Sequence, residues 1–449
     1  MPLVTSGEHY GAVINPDFDY RRYLAALQAD GLNYTRLFGG SYVEVPAKSF
    51  GILRNDLAPQ GDRFLPPWAR SDQPGYAGGG NKFDLNRWNE GYFERLRDFL
   101  TEASKRGIVV EITLFSSHYQ EAQWKVSPFH PSNNVNGTGL TDWKMLHTLA
   151  NGGILRWQES YTRKLVNEAN GFDNVIFEIQ NEPWSDRGTL ADVMNPYLAK
   201  AARDQYPNSI DIADELSITW QTRVAQWITS EESKLPNHHL IAQNYCNFRL
   251  PVRELAPGAG IINFHYSYPE AVLLNYGMGK PISYDETGFL GHDDAAYLRQ
   301  AWNFMLSGGA IFDNLDYSFS VGREDGSDSE PNGPGGGSAG FRRQLRVLVE
   351  FLGKLPLDEM APDSGAVVHA SGVYARVLSS PQGRLVVYLD GNGPAELTLR
   401  LPKGRYAGEW IDVRTGKTLK AEKFLSSGGQ QTLAPPAFAN GIALRLERN

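Results

Sequence analysis

The stretch Ile108-Val109-Val110-Glu111-Ile112-Thr113-Leu114-Phe115 is the clearest strand signal in the chain, and it decides the fold. A segment with helical periodicity, 87–106, precedes this strand and ends at Gly107. A second such segment, 154–169, follows it and leads into another apolar run, 175–179. Strands separated by helices in this way predict parallel pairing through right-handed crossovers.

The same alternation continues in both directions from this stretch. Eight apolar runs read as strands, at 3–13, 32–38, 108–115, 175–179, 239–244, 261–265, 281–285 and 310–315. The segments between and after them read as helices, at 17–30, 87–106, 154–169, 211–233, 252–255, 293–306 and 341–352. Eight strands predict a (β/α)8 barrel over residues 1–355. An open doubly wound sheet is the alternative, but no glycine-rich dinucleotide motif follows the first strand.

The pattern changes after residue 355. Short alternating runs bounded by turn residues occur at 372–378, 384–390, 395–401, 406–412 and 441–446. These runs predict a small antiparallel β-sandwich domain over residues 356–449.

Composition excludes several classes of partner. The 449 residues carry a net charge of -8, with both signs dispersed, so we expect neither nucleic acid nor an anionic membrane surface as a partner. No apolar run reaches 18 residues, and the first residues lack a signal-like hydrophobic region. The compartment stays open: secreted or periplasmic if an upstream signal was removed, otherwise cytoplasmic. The oligomeric state also stays open.

Metal and cofactor sites are not expected. His238 and His239 are adjacent, which points them apart on a strand, and no His-Glu-x-x-His or Cys/His spacing occurs.

In a barrel of this kind, the chemistry lies at the carboxyl ends of the strands. The fourth predicted strand continues into Asn181-Glu182-Pro183, and the seventh continues into Glu286. Together with Arg36 in the second strand and His265-Tyr266 in the sixth, this arrangement resembles the retaining glycoside hydrolases of clan A, and family 5 in particular.

The resemblance implies a role for each of these residues. Glu182 is expected to be the acid/base and Glu286 the nucleophile, with their carboxyl groups ~5–5.5 Å apart. Glu182 must be protonated when the substrate binds, whereas Glu286 must be ionised. Arg36 and either Tyr266 or Tyr268 are the expected donors to Glu286, and Asn181 is expected to bind the 2-hydroxyl group of the sugar.

Further sugar ligands are expected near the strand ends. The candidates are Glu8, His9, His118, Trp184, His265 and Tyr317. Aromatic platforms for sugar faces are expected among Trp124, Trp143, Trp184 and Tyr317. Many members of the clan carry a tryptophan at the end of strand eight, whereas this chain reads Asp316-Tyr317 there. This departure leaves the substrate open.

The resulting hypothesis is a retaining O-glycoside hydrolase that acts by double displacement through a covalent glycosyl-enzyme. Insertions at 39–86 and 116–153 would wall one side of the barrel mouth, which favours oligosaccharides or terminal sugars as the substrate. The alternatives are an endo-acting, cellulase- or mannanase-like polysaccharide hydrolase and a carbohydrate-binding pseudoenzyme without turnover. A hydrolase or lyase that acts on another substrate is a further alternative.

Overall fold

The first half of the architecture is a parallel eight-stranded barrel. The structure is a computed structural model that describes residues 2–448 except 8, 47, 193–208, 248–249, 330–332 and 334. The barrel strands are β1 (Leu3–Val4), β2 (Tyr34–Phe38), β3 (Val109–Ser116), β4 (Val175–Asn181), β5 (Leu240–Asn247), β6 (Ile261–His265), β7 (Ile282–Glu286) and β8 (Ile311–Phe312). Each strand pairs with the next in parallel, in the order β1-β8-β7-β6-β5-β4-β3-β2.

Asn33 links the two ends of this order. Its backbone N–H donates to the carbonyl of Val4 over 3.3 Å, and its side-chain oxygen accepts the Val4 N–H at 2.8 Å. These two bonds join β1 to β2, so the sheet comes close to full closure. The predicted barrel is confirmed.

Among the described residues, seven helices of seven or more residues pack around the barrel. They are α1 (Tyr20–Ala29), α2 (Glu90–Lys105), α3 (Leu155–Ala169), α4 (Glu215–Glu232), α5 (Pro269–Asn275), α6 (Asp294–Met305) and α7 (Ala339–Leu352). Four begin at a side chain that accepts an N–H group of the first turn: Asp19, Asp214, Asp293 and Ser338. Within the described residues, no helix is long and apolar enough to cross a membrane.

Several predicted boundaries are wrong. The first strand ends at Val4 rather than at residue 13, because residues 10–14 form turns whose apolar side chains are nevertheless buried. The helix predicted at 252–255 does not form, and those residues are irregular. Apolar side chains in a buried turn and in a strand give the same local pattern.

Two antiparallel hairpins explain the other errors. Trp68–Pro74 pairs with Asn81–Trp88, so α2 begins three residues later than the pattern indicates. Gly188–Asp192 pairs with Ser209–Ala213, so α4 begins at Glu215 rather than at 211. Short helical turns complete the chain, at Gly61–Arg63, Glu121–Trp124, Trp143–Met145, Pro183–Asp186, Tyr276–Met278, Leu357–Glu359 and Ser364–Ala366.

The C-terminal region forms a separate antiparallel sheet. Its strands are β9 (Ala361–Pro362), β10 (Val367–Ser379), β11 (Leu385–Leu401), β12 (Gly404–Asp412), β13 (Thr418–Ser426), β14 (Gly429–Leu433) and β15 (Ile442–Arg448). The order is β9-β10-β11-β15-β12-β13, and β14 pairs with the second half of β11. Two predicted strands are one long strand, β11, and the prediction missed β13 and β14.

Alternation along β11 divides its side chains between two cores. Val387 and Leu389 belong to the core of the sheet itself, whereas Val386 and Tyr388 belong to the large core that surrounds the barrel. Successive side chains of a strand point to opposite faces, so one face of the sheet covers the barrel. The division into domains at residue 355 remains a prediction.

Candidate active site

Two glutamates meet at the carboxyl end of the barrel. Glu286 is the last residue of β7, and Glu182 directly follows β4. One carboxylate oxygen of Glu182 and one of Glu286 lie within 4.8 Å of each other. This separation is close to the ~5–5.5 Å of retaining glycosidases and well below the ~6.5–9.5 Å of inverting ones.

The carboxylate of Glu286 receives three donors. The Tyr266 hydroxyl donates to Oε1 at 2.6 Å. The Tyr10 hydroxyl at 2.9 Å and Arg36 Nη1 at 3.1 Å both donate to Oε2. Three donors that include a guanidinium suit an ionised carboxylate.

Arg36 connects the nucleophile candidate to the fourth strand. Its Nε and Nη2 donate to the same oxygen of Glu178, over 3.0 Å and 2.7 Å, and Nη2 also donates to the side-chain Oδ1 of Asn181 at 2.7 Å. Asp285 lies 3.6 Å from Nε. The guanidinium is fully buried, so these contacts hold its orientation firmly.

Glu182 has an unusual backbone conformation. Its φ is 46° and its ψ is 55°, in the left-handed region that non-glycine residues rarely adopt. Two neighbours hold it there: Asn244 accepts its N–H at 3.1 Å, and the Ser117 hydroxyl donates to its carbonyl at 2.7 Å. Strain of this kind is often stored at functional sites.

His265 lies against both glutamates. Its Nδ1 is 3.0 Å from Glu182 Oε1 and 3.5 Å from Glu286 Oε1, and its Nε2 is 3.7 Å from Asp285. Burial lowers the pKa of His265, but the charges of Glu286 and Asp285 and the hydrogen bond to Glu182 outweigh burial and raise the pKa well above its usual value. This favours the protonated ring, in which Nδ1 donates to Glu182.

More carboxylates lie deeper in the barrel. Glu111 accepts from the Tyr34 hydroxyl at 2.8 Å and from the Asn263 amide at 2.9 Å. Burial, followed by the charges of Glu178 and Asp285, raises the pKa of Glu111 to about 8. Glu111 therefore carries a proton at neutral pH, which limits the negative charge below the two glutamates.

Potential metal ligands occur within this same cluster. In the described residues, Glu182, His265 and Glu286 form one group of three ligand atoms within 4.8 Å, and Glu178, His265 and Asp285 form another. Both groups need His265 as a neutral ligand, whereas its raised pKa favours the protonated ring. The carboxylates are instead paired with Arg36 and His265, and the absence of a metal remains a prediction.

A cavity opens above the two glutamates. The space between its walls, together with the open solvent at its mouth, is about 490 Å³. The lining side chains come from several loops and are mostly aromatic: Tyr10, Phe38, Tyr42, Glu44, Phe50, Ile52, Leu57, Tyr119, Asn181, Glu182, Tyr266, Glu286, Phe289, Leu315 and Tyr317.

The structure brings most of the predicted site residues together. Glu182, Glu286, Asn181, Tyr266 and Tyr317 line the cavity, and Arg36 and His265 contact the two glutamates from below. Of the two candidate tyrosines, Tyr266 contacts Glu286, whereas Tyr268 lies off the cavity wall and is 52% exposed.

Three other predicted ligands do not reach the cavity. His9 is buried among the rings of Phe18, Tyr23 and Phe319. His118 is buried against Tyr42 and Trp124, and burial lowers its pKa to about 3, so it is neutral. Trp184 is buried with its ring edge toward His265. Glu8 lies outside the described residues.

The predicted tryptophan platforms are also corrected. All ten tryptophans fall within the described residues, and none lines the cavity. Trp124 is fully buried, and Trp143 packs against the main core. The aromatic walls consist of tyrosine and phenylalanine, most of them in loops that have no periodic pattern.

Several contributors were not predicted from the sequence. Tyr10 belongs to the same polar cluster as the candidates at residues 8 and 9, but its contact with Glu286 was not predicted. Glu178 and Glu111 are charged residues within otherwise apolar strands. Because a buried charge is rare, this pattern could have indicated a functional role for both. Tyr119 reaches the site through Asn181, whose amide donates to the Tyr119 hydroxyl at 2.6 Å.

Comparisons with known proteins agree with this fold. A family model described as a domain of unknown function, DUF6298, matches residues 58–145. No curated protein matches the sequence.

Solved structures match the whole chain. A structure described as a glycoside hydrolase has a TM-score of 0.63 at 12% identity, over 100% of this chain and 93% of its own. A family 5 glycoside hydrolase from Bacteroides vulgatus ATCC 8482 has a TM-score of 0.61 at 13% identity, over 100% and 89%. A candidate glycoside hydrolase from the same organism has a TM-score of 0.67 at 13% identity, over 100% and 78%. At such low identity the likeness shows the fold alone, a barrel with a C-terminal sheet like that of these glycoside hydrolase structures.

Proposed function

We propose that the protein is a retaining O-glycoside hydrolase. The observation that carries the proposal is the pair Glu182 and Glu286, whose nearest carboxylate oxygens lie within 4.8 Å on two strand ends of a glycosidase-like barrel. The fold likeness to solved glycoside hydrolases adds support, although fold alone does not determine an activity.

In the first step, an oxygen of Glu286 attacks the anomeric carbon while the bond to the leaving oxygen breaks. Glu182 transfers its proton to the leaving oxygen, and the leaving group departs as an alcohol. The product is a glycosyl ester on Glu286. In the second step, Glu182 takes a proton from water, whose oxygen attacks the anomeric carbon and releases Glu286 as a carboxylate. Each step inverts the configuration at the anomeric carbon, so the product retains the configuration of the substrate.

The contacts of each glutamate suit its proposed role. The three donors to Glu286 stabilise the carboxylate before attack and again when it leaves the sugar. His265 donates to Oε1 of Glu182, which leaves Oε2 to carry the proton toward the substrate. Asn181 is held by Arg36 at the cavity wall, where its amide can bind the 2-hydroxyl group of the sugar.

The cavity walls favour a short substrate. The insertion at 39–86 contributes Tyr42, Phe50 and Leu57 to one side, and Tyr119 comes from the insertion at 116–153. A pocket closed on this side suits terminal sugars or short oligosaccharides, whereas an endo-acting enzyme needs an open cleft for a long polymer.

Two aromatic rings lie at the mouth of the cavity. Phe50 is 54% exposed and Phe289 is 64% exposed, although both are apolar and both line the cavity. Each also has a positive φ, 52° and 64°, which is costly for a bulky residue. We assign to these two rings the role of packing against the flat, apolar face of the leaving group or of a second sugar.

A panel of aryl glycosides tests the function, followed by proton NMR of the first-formed anomer on the best substrate. Hydrolysis with retention is expected. An inverted first product would contradict the double displacement. Binding of sugars without turnover of any aryl glycoside or oligosaccharide would favour the carbohydrate-binding pseudoenzyme.

A further inference from the structure

A third carboxylate, Glu44, faces the cavity from the insertion that follows β2. It lines the same cavity as Glu182 and Glu286, yet no strand of the barrel carries it. Its backbone N–H donates to the Leu57 carbonyl at 2.9 Å, which ties the two sides of the insertion together. Its position is therefore set by the insertion rather than by the barrel.

Neutral donors hold the Glu44 side chain in place. The Tyr42 hydroxyl donates to Oε1 at 3.0 Å, the Asn55 amide donates to Oε2, and Ser49 supplies a further hydrogen bond. The residue is more than nine-tenths buried. Its two catalytic neighbours have Arg36 and His265 beneath them, whereas the partners of Glu44 among the described residues are all uncharged.

The wall around Glu44 has acidic character. The described lining residues include three carboxylates and no lysine, arginine or histidine. A ligand carboxylate in this cavity would therefore meet like charges in a partly desolvated site, without a cation on the wall to offset them. Hydroxyl groups, in contrast, can donate to the remaining lone pairs of these carboxylates.

We propose that Glu44 is a specificity-determining residue that accepts a hydrogen bond from a hydroxyl group of the bound sugar and excludes sugars that carry a carboxylate. The substrate class is then neutral glycosides rather than uronides. This inference rests on the proposed function.

The protonation of Glu44 makes the exclusion depend on pH. Burial raises the pKa of Glu44 to about 7, and the charge of Asp56 contributes in the same direction. The ionisable groups that face it are Tyr42, Asp56 and, across the cavity, Glu182 and Glu286, together with Tyr119 and Tyr317. Glu44 is ionised above about pH 7, so repulsion of a uronide is present there and weakens as pH falls through that value.

The test compares two aryl glycosides that share stereochemistry and leaving group and differ only in a neutral hexose or the matching uronic acid. The ratio of their kcat/KM values is measured from pH 5 to pH 9. Ionisation of Glu182 and Glu286 affects the turnover of both substrates and also repels the uronide, but this contribution is common to the wild type and Glu44→Gln, so the difference between their two profiles reports Glu44. The wild type should prefer the neutral glycoside, and its ratio should rise about tenfold from the acidic to the alkaline end.

Glu44→Gln should lower the ratio at pH 9 by about tenfold and make its pH dependence correspondingly flatter than that of the wild type. Asp72→Asn is the matched control, because Asp72 is an exposed carboxylate of the same insertion that does not line the cavity. This control should retain the wild-type profile.

A wild-type ratio that does not change with pH would overturn the inference, and this measurement needs no variant. An unchanged ratio in Glu44→Gln would overturn it as well. If the wild type hydrolyses neither glycoside and no other glycoside of the panel, the proposed function fails together with the inference. If both glycosides are hydrolysed but Glu44→Gln leaves the ratio of their kcat/KM values unaltered, only the inference about Glu44 is refuted and the proposed function stands.

Discussion

The hydroxyl of Tyr266 provides the most specific test at the scale of single residues. It donates to Glu286 at 2.6 Å, whereas Tyr268, two residues later, does not line the cavity. We expect Tyr266→Phe to lower kcat by about 10- to 100-fold, because one donor to the nucleophile is lost. Tyr268→Phe is the matched control and should change kcat by less than about twofold. Equal effects of the two variants would contradict the assignment.

The two glutamates predict different kinetic losses. Glu286→Ala should reduce turnover by about 10⁴-fold or more for every substrate, because no nucleophile remains. Glu182→Gln should retain most of the kcat/KM toward leaving groups such as dinitrophenol, which need no proton, and lose it toward alkyl glycosides, while kcat falls for both because the second step lacks its base. Steady-state kinetics with both substrate types measures this difference, and circular dichroism controls for folding. Full activity of Glu286→Ala would refute the assignment.

At this scale the sequence could predict the charged groups at strand ends. Glu182 and Glu286 follow from barrel geometry, since parallel strands bring their carboxyl ends together, whereas Arg36, in the middle of β2, was predicted only through the family resemblance. The choice between Tyr266 and Tyr268 could not be predicted. Tyr266 has a φ of 48°, and the register of β6 shifts nearby, so strand alternation does not apply.

Individual elements differ in how closely they follow the sequence pattern. The bounds of β6 are those predicted, because both of its faces are buried and the apolar run ends at the polar residue His265. The insertion at 39–86 supplies Tyr42, Glu44 and Phe50 to the cavity but has no periodicity from which their directions could be predicted. The cavity wall that this insertion forms was therefore the least predictable part of the site.

The buried carboxylate of β3 predicts a pH-dependent stability of the barrel. Burial raises the pKa of Glu111 to about 8, so the folded state holds a proton that the unfolded chain releases near pH 4.5. The stabilisation is present below that lower pH and is lost as pH rises through about 8.

We therefore expect Glu111→Gln to unfold at higher urea than the wild type at pH 9, with a gain on the order of 1 kcal/mol, and to show a flatter stability curve from pH 5 to pH 9. Urea titrations at several pH values measure both quantities. A wild type whose stability does not fall between pH 6 and pH 9 would contradict this protonation of Glu111.

At the scale of the whole molecule, the C-terminal sheet packs onto α6 of the barrel. Arg299 donates two hydrogen bonds to Asp390, at 2.7 Å and 3.0 Å, and the rings of Trp302 and Tyr388 stack at 5.6 Å. The Asn303 amide also donates to Asp390 at 3.0 Å. The contact lies away from the cavity, so we expect it to support stability rather than catalysis.

Asp390→Ala should therefore lower the free energy of unfolding by about 1–3 kcal/mol, because the buried Asn303 amide and one side of Arg299 lose their acceptor. Its kcat/KM should stay within about twofold of wild type. Thermal denaturation and kinetics on the same preparation measure both quantities. Loss of activity without loss of stability would show that the sheet acts on the site.

The central claim is that Glu286 forms a covalent bond to the sugar. The most direct measurement is mass spectrometry of the protein after reaction with a 2-deoxy-2-fluoroglycosyl fluoride, a reagent that forms the glycosyl-enzyme readily and releases it slowly. The account predicts one added sugar on the peptide that contains Glu286 and none on Glu286→Ala. An unlabelled enzyme that still consumes the reagent, or a label on a different residue, would contradict the account.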